Sequence, residues 1–174
     1  MKKFLTLTLI VLSLFVLSCG NNDSKNNTVN PEKYKADLEK VNKTLVTKEN
    51  EDIDDYIARH EWKMNKTGTG LRYNIYKSGN GKKPKERDKV VIRFKVNLIN
   101  GTECYNSDKD GLKQIDIGMA EVESGLEEGI MLMKTGDKAR LIIPSHLAFG
   151  LLGDDNKIPK RATLIYDVEL VEIK

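Results

Sequence analysis

Ser124-Gly125-Leu126-Glu127-Glu128-Gly129-Ile130-Met131-Leu132-Met133-Lys134-Thr135-Gly136-Asp137-Lys138-Ala139-Arg140-Leu141-Ile142-Ile143-Pro144, with Ala162 to Ile173 after a loop, carries an apolar pattern that changes period twice. Leu126, Ile130 and Met133 recur at helical spacing. Ser124 is the expected N-cap, and Glu127 completes a capping box. Gly136 is the expected stop, with Lys134 in the last turn, where a cation suits the helix dipole. Lys138 to Pro144 then alternates as a strand, and so does Ala162 to Ile173, with Leu164, Tyr166, Val168 and Leu170 on one face. One amphipathic helix between half-buried strands is the requirement of a small α+β domain with a single core.

The preceding hundred residues supply the other strands. Thr67-Gly68-Thr69-Gly70 reads as a turn, and Leu71, Tyr73 and Ile75 alternate with Arg72, Asn74 and Tyr76. Val90, Ile92, Phe94, Val96 and Leu98 alternate strictly with polar neighbours. Asn100-Gly101 is the favoured pair for a two-residue hairpin turn into a short strand, Thr102 to Tyr105. Asp108-Lys109-Asp110-Gly111 breaks that strand, and Gln114 to Ile117 leads to the helix. The expected fold is α+β: five or six strands and one short helix, over residues 63–174.

Further upstream, Tyr34, Leu38, Val41 and Leu45 form one helical stripe. A second helix is expected from about Thr47, with acidic first turns and a stripe of Ile53, Tyr56, Ile57 and His60. Residues 31–62 thus read as a helical neck. Its stripes pack on the domain itself or form a docking or dimer surface. Residues 19–30 are polar, with nothing to bury, and read as a flexible tether. Met1-Lys2-Lys3, an apolar run from Phe4 to Val16, and Leu17-Ser18-Cys19-Gly20 follow the order of a secretory leader. Its ending resembles a bacterial lipoprotein box. The expectation is a signal peptide over 1–18 and acylation of Cys19, which anchors the chain to a membrane. Gly20 and Asn21 include no immediate Asp, which by analogy favours the outer membrane, facing the periplasm.

Composition excludes several function classes. Of 29 basic and 26 acidic side chains, two basic ones, Lys2 and Lys3, lie in the leader. The remainder is nearly balanced, so no electrostatic case for nucleic acid exists. With Cys19 committed to lipid, Cys104 is the sole remaining thiol, which leaves no disulfide framework. His60 and His146 have no ligand-like neighbours, so no metal and no cofactor is expected.

Seven blocks then carry a resemblance. Gly79-Asn80-Gly81, Asn100-Gly101-Thr102, Gly125 to Gly129, Met133 to Ala139, Ile143-Pro144-Ser145-His146-Leu147-Ala148-Phe149-Gly150, Ile158-Pro159 and Ala162 to Leu170 occur in order. From about residue 70 to 174 the chain resembles the FK506-binding-protein (FKBP) family of peptidyl-prolyl cis-trans isomerases. Leader and neck look like the isomerase lipoproteins of the Bacteroidetes type, including gliding-motility-associated ones. The resemblance implies an FKBP-like antiparallel sheet of five or six strands wrapped around one short helix, a proline pocket between sheet and helix, and proline-containing exported polypeptides as partners.

The pocket carries over residue by residue, with changes. The resemblance places Phe94 where the family usually has Tyr, and Cys104-Tyr105 where it has Phe-Asp. Val122-Glu123 stands for Val-Ile before the helix, with the backbone N–H at Glu123 as the implied donor to a substrate carbonyl. Leu126 replaces a Trp floor, Phe149 a Tyr, and Tyr166 a Phe, while Ile158 is kept. Tyr105 either refills the wall that Cys104 vacates, or a one-residue strand shift exchanges their roles. Cys104 reads as a small buried hydrophobe. With these aromatics lost, macrolide binding is expected to be weak. Glu127, Glu128, Asp137 and Asp154 read as solvated caps and turns. Two functions stay open: a prolyl isomerase, or a binding or assembly module on the same fold.

Overall fold

The computed structural model of the protein describes residues 31–174. The expected leader, the acylation of Cys19 and the tether lie outside those residues. The first element is one continuous helix, α1 (Pro31–Arg59), with no break near Thr47. The expected second helix is its latter half, because no Gly or Pro interrupts Thr44-Leu45-Val46-Thr47-Lys48-Glu49. The strands are β1 (Asn65–Lys66), β2 (Arg72–Lys77), β3 (Lys89–Leu98), β4 (Glu103–Asn106), β5 (Lys113–Asp116), β6 (Lys138–Ile143) and β7 (Leu164–Ile173). Two short helices, α2 (Ser107–Asp110) and α3 (Ser124–Leu132), interrupt them, and a 3-10 turn spans Ser145–Leu147.

All pairings are antiparallel, in the order β1-β2-β6-β7-β3-β4, with β5 beside the start of β3. The α+β architecture read from the sequence is therefore present. Its seven strands exceed the expected count because Asn65–Lys66 and Lys113–Asp116 pair with neighbours that periodicity does not reveal. The β3–β4 hairpin is longer than two residues. Gly101 N–H donates to Leu98 O, Leu98 N–H donates to Thr102 O, and Gly101 has φ +89°. That is a type I turn closed by a left-handed glycine, the three-residue alternative.

The apolar face of α3 behaves as its spacing predicts: Leu126, Ile130 and Met133 are fully buried. Its caps do not. The N-cap position is Glu123, and the Ser124 hydroxyl donates to Leu147 O instead (3.4 Å). Glu127 accepts the Gly118 N–H (2.8 Å), so no capping box forms. The helix ends at Leu132, and Gly136 and Lys134 lie beyond it, in the turn that delivers β6. Gly125 and Gly129 have a packing reason: a Cβ at either would overlap the side chains of Ile143 or Leu141 on β6. The two glycines let the helix lie directly on the strand.

The main core lies between α3 and the inner face of the sheet, through Val90, Ile92, Val96, Leu141, Ile143, Leu164, Tyr166, Val168 and Leu170. A second, smaller core occupies the other face. Ile53 of α1 is fully buried against Ile142 and Ile165, with Tyr56, Ile57, Trp62, Met64 and Ile99 around it. Polar contacts fix this docking. Arg72, only 2% exposed, donates to Asp54 (2.7 Å), to Asn50 (2.7 Å) and to the Gly70 carbonyl (2.7 Å). Glu49 accepts from Ser145 N–H (2.7 Å), the Ser145 hydroxyl (2.9 Å) and the Thr163 hydroxyl (2.8 Å). The compact unit accordingly spans Glu39–Lys174, and the latter half of α1 belongs with the sheet. The earlier stripe differs: Leu38 and Val41 are more than half exposed.

Candidate active site

Strand alternation and one bulge build the candidate pocket. On β3 the inward positions Ile92, Phe94 and Val96 form one wall. The β3–β7 register shifts between Val91 and Ile92, and it sets Phe94 opposite Val168 and Val96 opposite Tyr166. Leu126, in the first turn of α3, faces them, and Tyr166 of β7 and Phe149 of the loop before β7 complete the apolar lining. The cavity measures about 460 Å³ and opens to solvent between β4, β5 and that loop. This is the size and mainly apolar character of a small-ligand site.

Six of the nine residues implied by the sequence meet here: Phe94, Tyr105, Glu123, Leu126, Phe149 and Tyr166. The other three do not line the cavity. Cys104 is 3% exposed within the main core, where its thiol faces the carbonyls of Lys157 (3.6 Å) and Thr102 (3.9 Å). Burial pushes its pKa up, helped by the charge of Asp154, so it is a weak nucleophile. Ile158 is likewise a core residue, 3% exposed. Val122 packs on the core and faces a separate surface hollow beside Ser124 and Met131. β4 pairs Tyr105 with Val96, and Tyr105 rather than Cys104 forms the pocket wall.

Residues that the sequence left aside complete the rim: Asp110, Lys113, Asp154 and Asn156. Asp154 caps its own turn, but it is half-buried and also bonded to a residue of the pocket wall. The Tyr105 hydroxyl donates to its Oδ2, and Asn156 Nδ2 donates to the same phenol oxygen (3.3 Å). Its Oδ1 accepts the N–H of Ile158 (2.7 Å) and of Asn156 (3.0 Å). Burial pushes the Asp154 pKa up, but the Tyr105 hydroxyl and the N–H groups of Ile158, Asn156 and Lys157 outweigh it, so the net shift is downward. Tyr105 shifts upward, through its bond to Asp154 first and burial second. The carboxylate absent from β4 is thus returned to the rim by the loop. Its sequence signal is faint: an Asp four residues before Ile158, the spacing of a side-chain-capped turn. Asp137 also departs from expectation. It is 2% exposed and accepts the N–H groups of Gly79 (2.5 Å) and Lys134 (2.8 Å), a buried clasp between two loops.

Inside the pocket, the Tyr166 hydroxyl donates to Glu123 Oε1 (2.8 Å). Burial, then the charge and hydrogen bond of Glu123, hold the Tyr166 phenol well above its usual pKa. Glu123 makes no side-chain cap to its own helix. Among the described residues, no cluster of His, Cys, Asp and Glu is arranged to hold a metal ion. The site is a hydrophobic slot with polar groups at its rim, set between an antiparallel sheet and one short helix.

The chain belongs to the FKBP-type peptidyl-prolyl cis-trans isomerase family, whose sequence model matches residues 80–171. Curated relatives include the FKBP-type isomerase FkpA of Buchnera aphidicola subsp. Acyrthosiphon pisum, 37% identical over 110 residues, 63% of this chain and 45% of that one. FkpA of Escherichia coli strain K12 is 39% identical over 108 residues, 62% of this chain and 39% of that one. The chain therefore spans less than half the length of these relatives. Among solved structures, that of AtFKBP13 superposes with a TM-score of 0.61 at 26% identity, covering 64% of this chain and 99% of that one.

Proposed function

We propose that the protein is a peptidyl-prolyl cis-trans isomerase acting on exported, proline-containing polypeptides at the bacterial envelope, held to the outer membrane through acylated Cys19. The observation that carries the catalytic part is the apolar cavity walled by Phe94, Leu126, Phe149 and Tyr166. Rotation about a peptide bond meets a barrier of roughly 18–20 kcal/mol because amide resonance must be broken. No nucleophile or proton relay is needed. A wall that holds the proline ring and favours a twisted amide over either planar form lowers that barrier by differential binding. About 4 kcal/mol of preferential stabilisation gives a thousandfold rate. The backbone N–H of Glu123, at the mouth of α3, is the donor for the substrate carbonyl, since a Glu side chain leaves it available. The anchored location rests on the lipoprotein-like box, and weak macrolide binding on the missing Trp and Tyr side chains.

A second reading, a binding or assembly module with little catalysis, draws on the same pocket, since Glu123 and Tyr166 bring polar groups into its interior. The two are separated by the full chain in detergent micelles, with the cis-trans exchange of an X–Pro peptide followed by NMR. The isomerase reading expects exchange accelerated at micromolar protein. Binding of the peptide without acceleration would establish the module instead.

A further inference from the structure

Glu123 occupies a place where a carboxylate is costly unless something answers it. One oxygen, Oε1, accepts from Tyr166, but Oε2 is buried with no hydrogen-bond partner among the described residues. Among the described residues, no Lys or Arg side chain forms an ion pair with it. An unanswered acceptor in an apolar wall is a standing penalty, removed when a donor arrives. Two further carboxylates, Asp110 and Asp154, line the same cavity against one ammonium group, Lys113. The rings present also suit a cation. The Lys157 ammonium already stands 4.7 Å over the Tyr105 ring, and Phe94 and Phe149 line the same cavity.

We propose that Glu123 is a specificity-determining residue that directs the pocket to X–Pro segments in which X is lysine or arginine. The inference rests on the reading of the cavity as a proline pocket. Leu126 and the β3 wall take the pyrrolidine ring. The pyrrolidine ring carries no charge, whereas the ammonium or guanidinium of the adjoining residue X brings one against the cavity wall that Glu123 lines. Tyr166 is a positioning residue here, holding Oε1 and with it the carboxylate.

The test titrates the full chain in detergent micelles with three peptides, alike except for Lys-Pro, norleucine-Pro or Glu-Pro, and reads both binding and cis-trans exchange by NMR. Norleucine keeps the carbon chain of lysine without its charge. The expected result is binding of Lys-Pro about tenfold tighter than norleucine-Pro, ~1.4 kcal/mol, with Glu-Pro weakest. In Glu123→Gln the ratio of Lys-Pro to norleucine-Pro affinity is expected to fall to about one, whatever the absolute affinities. Equal binding of Lys-Pro and norleucine-Pro by the unaltered chain overturns the inference, whether or not the variant folds. A preference that survives in Glu123→Gln overturns it too. Lys-Pro preference without accelerated exchange would sink the isomerase reading and leave this one standing, and accelerated exchange without preference would do the reverse.

Discussion

Tyr105 and Asp154 form a hydrogen-bonded pair at the rim of the cavity. The pair joins β4 to the loop before β7, and the Asp154 carboxylate gathers the Asn156 and Ile158 amides as well. Tyr105→Phe keeps the pocket ring and removes its hydroxyl. The expected cost is about 0.5–1.5 kcal/mol of stability in urea unfolding, with faster hydrogen exchange at the Asn156 and Ile158 amides. Unchanged exchange there would mean that the loop holds itself without the phenol. At this scale the sequence was readable where type alone decides: Phe94, Leu126, Phe149 and Tyr166 are apolar or aromatic and line the cavity. Asp154 was not readable, because an isolated Asp in a loop looks the same whether its partner is water or a tyrosine 49 positions away. Arg72 was hidden for the same reason. Strand alternation puts it on the solvent side, and only the arrival of Asp54 and Asn50 from α1 buries it.

β3, β6, β7 and the apolar face of α3 follow from period, as their buried residues show. The relation of α1 to the sheet does not, since its docking depends on contacts such as Glu49 with Ser145 and Thr163 that span 96 and 114 residues. Antiparallel sheets commonly face water on one side; β6 and β7 here are covered on both where Ile53 meets Ile142 and Ile165. Ile53→Ala removes the centre of that second core and is expected to cost about 2–5 kcal/mol. Urea unfolding of the full chain in detergent measures it. A loss below about 0.5 kcal/mol, the size of an ordinary surface substitution, would show that α1 adds nothing to the domain.

Across the whole molecule, the charged groups set the pH range of stability. Side-chain hydrogen bonds from Lys109 and then Lys95 hold Glu103 at about 2, below its usual 4.5, and Asp154 is also depressed. Groups of this kind stabilise the fold above their unfolded values, and that stability is lost as pH falls through the folded ones. Tyr166 and Tyr105 are raised. Their contribution is complete below the unfolded value of 10.0 and is lost as pH rises through the folded values. Urea midpoints are therefore expected to be level from about pH 5 to 9 and to fall on either side. A steep change near pH 7 would contradict this. Trp62 gives the docking of α1 a further consequence. It is the only tryptophan in the chain, set between Tyr56, His60 and the Arg140 guanidinium, which lies 4.0 Å over its ring. Arg140 belongs to β6, so the indole straddles the seam between helix and sheet. The molecule's tryptophan fluorescence is thus an optical gauge of that seam, and it registers the helix lifting away without a signal from the apolar cavity, which no tryptophan lines.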